Sequence, residues 1–341
     1  MTPRPPVQPL AHTLALSLGD PAGIGPEIVV KAWRALRNEA VPFFVVGDAQ
    51  ALASAPGGGA PVQAISGPDE AAAAFPEALP VLDIPLRAPV VAGKPDPGAA
   101  DAVIRWIETA VGLALSGTAG GVVTAPIAKA PLYAAGFRFP GHTEFLGELT
   151  AATRHDGARG PVMMLTAGDL RTTLVTVHEP LAKVPAALTI EGIVNTGLVT
   201  AQAMRRDFGI AAPRIAVAGL NPHAGESGTI GQEETRVVTP AVRALRDLGV
   251  DARGPYPADS LFPAEVRATY DAAVCLYHDQ ALIPVKMLDF WGGVNVTLGL
   301  PIVRTSPDHG TAFDIAGRGI ARPDSLIAAI RLAAEIAGRR R

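Results

Sequence analysis

The chain has 341 residues, of which 48% are hydrophobic and 18% charged, enough apolar material for a large core at a length where two domains are the ordinary expectation. A formal net charge of −3 (29 Lys+Arg against 32 Asp+Glu) argues against a nucleic-acid partner, and the absence of an apolar run of about 18 residues argues against a membrane span. The single cysteine, Cys275, excludes an intrachain disulfide framework and fits a reducing compartment, so a cytoplasmic location is expected.

Residues 1–12 form a Pro-rich lead-in expected to be mostly disordered, and it lacks the apolar h-region of a secretory signal. Thr13–Leu18 has a short strand pattern, broken by Gly19-Asp20-Pro21-Ala22-Gly23-Ile24-Gly25-Pro26-Glu27. Pro26 with Glu27 opens a helix that Ile28–Leu36 continues. A strand, a Gly-rich loop and a helix N-terminus suit an anion or a nucleotide, because the first amides of a helix lack internal partners. The glycine spacing is not that of G-x-G-x-x-G, so an ordinary tight turn is an equal reading. Phe43–Val46 is a second strand, Ala51–Ala60 a surface loop, and Val62–Ile65 and Val81–Ile84 are short strands. After a turn at Gly93–Gly98, Val103, Ile104, Ile107, Val111 and Leu115 keep helical spacing through Ala99–Leu115. Gly120–Thr124 is the next strand and a short helix follows Lys129.

Gly141-His142-Thr143-Glu144 opens a helix over Phe145–Thr150, with Thr143 as its N-cap. Val162–Thr166 and Thr172–Val177 read as strands joined hairpin-fashion at Gly168-Asp169. Then come helix Leu188–Phe208, strand Arg214–Leu220, helix Glu233–Leu248, strands Asp271–Tyr277 and Gly293–Leu298, a loop entered through Pro301–Thr305, and helix Asp324–Ala337. Arg339-Arg340-Arg341 reads as a frayed, solvated helix end. Strands and helices alternate throughout, which gives an α/β fold with antiparallel pairs in the middle.

Three strand patterns run directly into a histidine. Thr173–Val177 meets His178-Glu179, Ile215–Leu220 meets Asn221-Pro222-His223, and Ala272–Tyr277 meets His278-Asp279. In open α/β sheets ligands bind beyond the carboxyl ends of strands. The three histidines lie 45 and 55 residues apart, so only the fold can gather them. Neutral imidazole is a common metal ligand, and three protein ligands with an open position describe a catalytic metal site. On the residues alone, three unrelated imidazoles bonded to backbone groups is an equal reading. Asp279 is the carboxylate best placed to orient an imidazole. Lys286 follows His278 by the span of one short helix and, with Asn295, Arg304 and the Gly141-His142-Thr143 turn, forms a candidate anion-binding set. Without the histidines nearby, Arg304 would read as a surface residue. The run Asp308 to Gly319, dense in glycine, suits either a flat ligand or a long helix-capping loop.

The blocks Gly19 to Glu27, Gly141-His142-Thr143-Glu144, Asn221-Pro222-His223-Ala224-Gly225-Glu226, Tyr277-His278-Asp279-Gln280, and Asn295 to Pro301 with Thr305-Ser306 resemble the 4-hydroxythreonine-4-phosphate dehydrogenases. These are NAD(P)-dependent enzymes of pyridoxal phosphate synthesis. The resemblance runs in order from about residue 13 to residue 335. The first loop and His309-Gly310 with Asp314-Ile315-Ala316-Gly317 are also similar to the wider isocitrate/isopropylmalate dehydrogenase fold.

This resemblance implies two α/β/α domains with a cleft between them. Residues 1–135 plus 305–341 would carry the cofactor loops, and 136–304 the metal ligands and a dimer interface. It implies a divalent metal (zinc, magnesium, cobalt or manganese) on His178, His223 and His278, with His278 supplied by the second subunit of a homodimer. Substrate contacts would fall to His142, Thr143, Lys286, Asn295 and Arg304, and NAD or NADP to Gly19, Asp20, Gly23, Gly25, His309, Gly310 and Asp314. Lys286, Asp279 and Asp259 are the candidates for moving the alcohol proton. The implied reaction oxidises 4-phosphohydroxy-L-threonine to 2-amino-3-oxo-4-phosphooxybutanoate, which loses CO2 to give 3-amino-2-oxopropyl phosphate. Relatives acting on another phosphorylated hydroxy acid, such as a four-carbon sugar acid phosphate, or on an aromatic dihydrodiol carboxylate are the enzymatic alternatives. A non-catalytic binding protein on the same fold is the alternative of another class.

Overall fold

The computed structural model describes residues 13–139 and 141–340. The Pro-rich lead-in and Arg341 lie outside them. Among the described residues twelve strands follow in order: β1 (Leu14–Ser17), β2 (Phe43–Gly47), β3 (Val62–Ala64), β4 (Leu79–Asp83), β5 (Val122–Thr124), β6 (Val162–Ala167), β7 (Leu170–Leu174), β8 (Arg214–Ala218), β9 (Asp251–Tyr256), β10 (Ala272–Cys275), β11 (Val294–Leu298) and β12 (Arg304–Pro307). The described residues divide into two compact units, one of residues 13–139, 141–142 and 302–339, the other of residues 143–301 and 340.

In the first unit the strands lie in the order β3-β4-β2-β1-β5-β12, with every pair parallel. Strands β1, β2 and β5 are buried at every position. A parallel sheet covered on both faces selects such unbroken apolar runs, Leu14-Ala15-Leu16 and Phe43-Phe44-Val45-Val46 being the plainest. The helices Gly25–Leu36 and Ala100–Leu115 bury one face each, and their tryptophans satisfy the indole N–H on loop carbonyls. Trp33 donates to Phe75 O (2.8 Å) and Trp106 to Ile84 O (2.9 Å).

In the second unit the order is β11-β6-β7-β10-β8-β9. Strand β6 is antiparallel to both β11 and β7, the turn to β7 passing through Gly168 at φ 57°, while β7, β10, β8 and β9 are mutually parallel neighbours. One core face packs Leu165, Leu174, Ala218, Cys275 and Val285 together. Burial pushes the Cys275 thiol well up, so it stays a small apolar side chain.

Four expectations change. Residues 51–60 are not all loop: Asp48 caps a short helix, Ala49–Ala53, by accepting from Ala51 N (2.7 Å). Strand β9 was not foreseen, because only Ala252 of its six residues is buried and Gly254-Pro255 interrupts any alternation. Thr143 is no N-cap, since the helix His142–Leu149 begins one residue earlier. Arg340 is not solvated: its guanidinium grips the buried Asp207 carboxylate at 2.7 and 2.9 Å, opposite Arg206. Burial works to raise the Asp207 carboxyl, but the two arginines outweigh it and hold the group below its ordinary value. No single helix among the described residues is long and apolar enough to cross a membrane.

Candidate active site

The order β7-β10-β8 makes neighbours of the three strands that lead to His178, His278 and His223, and all three are parallel. Their carboxyl ends therefore open on one edge of the second unit. Beyond β7, Val175 N and Thr176 N donate to Cys275 O (2.9 Å) and Leu276 O (3.2 Å), so the His178 segment continues alongside the end of β10. Strand β10 stops at Cys275, and His278 is the first residue of the helix His278–Leu288 rather than the last of a strand.

The rings of His178 and His278 stand 5.9 Å apart between centroids. Two imidazoles that share one ion at about 2.1 Å, on roughly tetrahedral directions, place their centroids about 5–6 Å apart. The pair therefore fits a shared cation. His278 Nδ1 lies 2.8 Å from Asp279 Oδ1, an arrangement that puts the proton on Nδ1 and leaves Nε2 as the lone-pair nitrogen. Asp279 thus orients an imidazole. Val177, His178, Glu179, Leu181, Val184, Tyr277, His278 and Asp279 line a cavity of about 280 Å³.

His223 is not among the residues that line this cavity. It is exposed on the turn Pro222–Gly228, where His223, Ala224, Gly225, Glu226 and Ser227 all adopt left-handed backbone angles (φ 54°, 50°, 76°, 40° and 58°). No group of three or more His, Cys, Asp or Glu side chains among the described residues is placed to hold a metal ion. The close pair is also intramolecular, whereas the resemblance implies that His278 arrives from a second subunit.

Lys286 lies eight residues beyond His278 on the same helix, or about 12 Å along its axis. It is half-buried, with its ammonium 5.2 Å from the Phe290 ring centre, and it does not line the His178–His278 cavity. Asp259 is exposed on the short helix Ala258–Leu261, also outside that cavity. On β11, Asn295 has a buried Oδ1 that accepts no hydrogen bond. Such atoms are rare enough to mark a place where a polar ligand completes the set.

The first unit carries the remaining predicted residues. Arg304 opens β12 and is only 2% exposed, with Nη2 donating to Thr124 Oγ1 at 2.7 Å, so the surface reading is excluded. Neither an exposed arginine nor a loop residue describes it. His142 has a buried Nε2 without a hydrogen-bond partner. Burial, and secondarily the Arg304 guanidinium, hold its pKa well below the ordinary 6.5. Both groups are desolvated and polar, as a binding site for an anion requires.

The glycines of the first loop have packing reasons of their own. A Cβ on Gly19 (φ 76°) would stand 2.5 Å from Pro126 O, one on Gly23 2.9 Å from Thr311 Cβ, and one on Gly25 2.6 Å from Leu18 O. Asp20 Oδ1 accepts from Ala22 N (2.9 Å), and burial raises its carboxyl above the ordinary value against hydrogen bonds from the Ala22 and Ala128 amides. Gly310 differs: a Cβ there would meet nothing within 4 Å. Its neighbour His309 points Nδ1 at Gly310 O (3.0 Å), and Asp314 is exposed. Of the four glycines Gly19, Gly23, Gly25 and Gly310, Gly310 alone leaves room for a ligand to approach the backbone.

Sequence reasoning passed over Glu234 and Gln280. Glu234 is 3% exposed and accepts from Leu220 N and Asn221 N (2.7 Å each) and from Asn221 Nδ2 (2.9 Å). Gln280 is 6% exposed and bonds Leu276 N and Gly219 O, both at 2.7 Å. A glutamate inside a helical pattern gives no sign of burial.

The sequence model of a family described as pyridoxal phosphate biosynthetic protein PdxA matches residues 39–333. The chain is 71% identical over 330 residues to the 4-hydroxythreonine-4-phosphate dehydrogenase of Caulobacter vibrioides, covering 97% of this chain and 99% of that protein. Among solved structures, the 4-hydroxythreonine-4-phosphate dehydrogenase of Klebsiella pneumoniae superposes with a TM-score of 0.84 at 40% identity, covering 96% of this chain and 99% of that one. A terephthalate 1,2-cis-dihydrodiol dehydrogenase from Burkholderia xenovorans LB400 gives 0.63 at 30% identity, covering 95% and 98%.

Proposed function

The chain belongs to the PdxA family of pyridoxal phosphate biosynthetic proteins, and from that premise we propose that it is a 4-hydroxythreonine-4-phosphate dehydrogenase. It oxidises the secondary alcohol of 4-phosphohydroxy-L-threonine, and the β-keto acid formed loses CO2 to give 3-amino-2-oxopropyl phosphate. The match along almost the whole chain to the Caulobacter enzyme carries this reading. The lower identity to the dihydrodiol dehydrogenase, 30%, ranks an aromatic substrate second.

NAD⁺ or NADP⁺ would take the hydride, and a divalent metal would act as a Lewis acid toward the oxygen that gains negative charge. His178 and His278 would hold that metal, with His223 as third ligand, and Asp279 fixes the His278 tautomer. Arg304, His142, Thr143, Lys286 and Asn295 are the proposed contacts to the phosphate and amino-acid ends of the substrate. The neutral His142 can donate to a phosphate oxygen or accept from an ammonium group. Asp279 is engaged with His278, and Lys286 and Asp259 both lie outside the cavity, so Lys286, Asp279 and Asp259 all stand as proposed groups for the alcohol proton. The Lys286 helix supplies a reason for a second copy of the chain. Ile283 (61% exposed), Met287 (81%) and Leu288 on that helix, with Phe290 and Trp291 just past it, form an uncovered apolar strip beside the proposed site. A homodimer that buries this strip, in the cytoplasm, is the proposed working form.

One experiment tests both parts. The purified protein is resolved by mass, and each fraction is given metal, substrate and either nicotinamide. Reduced cofactor should appear in the dimer fraction and at least about a hundredfold more slowly with the dephosphorylated substrate. No reduction with either cofactor would sink the assignment. Full activity in a monomer fraction would sink the dimer.

A further inference from the structure

Behind the three histidines runs a continuous set of buried polar groups. Thr176 Oγ1 donates to Leu276 O at 2.7 Å, tying the His178 segment to the end of β10. Gln280 then accepts from Leu276 N and donates Nε2 to Gly219 O, tying the first turn of the His278 helix to the end of β8. Beyond Gly219, Glu234 Oε1 accepts both amides at Leu220 and Asn221, and Oε2 accepts from Asn221 Nδ2, which also reaches Glu233 Oε2 at 2.7 Å. Glu234 opens a π-helical turn, Glu234–Val238, an irregularity that accumulates at functional sites.

The glycines of the His223 turn are fitted to this carboxylate. A Cβ on Gly225 would stand 2.5 Å from Glu234 Oε2, and one on Gly219 2.9 Å from Ala224 Cα and 3.3 Å from Glu234 Oε1. The left-handed backbone of residues 223–227 thus closes directly over Glu234. Its oxygens and the Gln280 carboxamide are occupied by these inward bonds, so neither side chain serves as a ligand itself.

We infer that Gln280 and Glu234 are positioning residues for the histidine site. Gln280 fixes the spacing between the His278 helix and the β8 end, and Glu234 holds the turn that presents His223. The inference rests on the reading that His178, His223 and His278 bind a divalent metal. Groups that orient metal ligands from behind typically cost about 10–100-fold in metal affinity when removed.

The test titrates Co²⁺ into the metal-free protein and reads both heat and the visible absorption of the bound ion. In Glu234→Gln the new amide opposes the Asn221 amide, donor against donor, and Co²⁺ affinity should fall about 10–100-fold. The same change in a His223→Ala background should cost almost nothing further, because its effect passes through His223. A merely structural role would cost the same factor in both backgrounds, and that result overturns the inference. So does unchanged affinity in Glu234→Gln. If Glu234→Gln does not fold, Gln280→Met, which keeps the volume, carries the test, and wild-type Co²⁺ affinity in it likewise overturns the inference. If His223→Ala alone binds Co²⁺ like wild type, the metal assignment itself fails and takes the inference with it. That outcome is distinguishable, because it appears before any change at Glu234.

Discussion

After β1 and again after β8 the chain leaves a parallel strand and turns through left-handed backbone, but the two turns are built in opposite ways. At Gly19 the single left-handed residue is a glycine, locked against Pro126 and Ala125. At residues 223–227 four of the five left-handed residues carry a Cβ. Each of these costs roughly 1–2 kcal/mol over glycine, so the turn is strained by several kcal/mol before anything offsets it. The three bonds to Glu234 from Leu220 N, Asn221 N and Asn221 Nδ2 anchor the chain at the entry to this turn. The imidazoles follow the same division. His142, in the first unit, is desolvated, while His223, in the second, is exposed. A scaffold turn is made from residues that suit it, and a turn that must present particular side chains is made from residues that must be held there.

The largest expected effect is Gly19→Ala. It adds a backbone penalty at φ 76° to a Cβ 2.5 Å from Pro126 O and 2.8 Å from Ala125 C, and neither neighbour is a side chain that can swing away. The loss should be on the order of 3 kcal/mol, or roughly 6–12 °C in the midpoint of a calorimetric scan. A midpoint within 1–2 °C (about the scatter expected of a harmless surface change) would mean that the loop is not the packed scaffold described here.

The contrast also explains what the sequence could disclose. Strands β2 and β10 are apolar runs, and His178, His223 and His278 follow within a few residues of the ends of β7, β8 and β10, so the fold class and the three histidines as candidates were readable from patterning. Buried polar groups were not. Arg304 and Glu234 are charged residues whose partners, Thr124 and Asn221, lie 180 and 13 residues away, and periodicity carries no mark of such pairs. The strain at residues 223–227 was hidden for a related reason. Asn221-Pro222 announces a turn, but His223, Ala224, Glu226 and Ser227 give no propensity signal for left-handed backbone. Only Glu234, seen in place, shows why they adopt it.

A smaller effect concerns His142. Its folded pKa is depressed, so below the ordinary 6.5 the unfolded chain binds a proton that the folded chain refuses. Stability contributed by this group is therefore complete above that value and is lost as pH falls below it, at up to about 1.4 kcal/mol per pH unit until the folded pKa is reached. Comparing thermal midpoints at about pH 7.5 and 5.5 in wild type and His142→Gln checks this. The variant should lose less on acidification. Equal losses in both would show that His142 titrates normally and would remove one side of the comparison.

The smallest effect has the most telling sign. Ala224 has φ 50° and is a half-buried member of the turn with no side-chain function, so Ala224→Gly removes only a methyl group and the left-handed penalty that comes with it. Elsewhere an alanine-to-glycine change destabilises, because glycine gains freedom in the unfolded chain. Here the relieved penalty exceeds that term, and the metal-free protein should be stabilised by about 0.5–1 kcal/mol, raising the midpoint roughly 1–4 °C. The same relief widens the range of backbone angles open to the turn, so His223 is held less tightly and Co²⁺ affinity should fall slightly while stability rises. Stability and ligand placement moving in opposite directions is what a turn held under strain for its side chains requires. If Ala224→Gly instead lowers the midpoint, the left-handed residues are not strained, and the turn is ordinary scaffold like the one at Gly19.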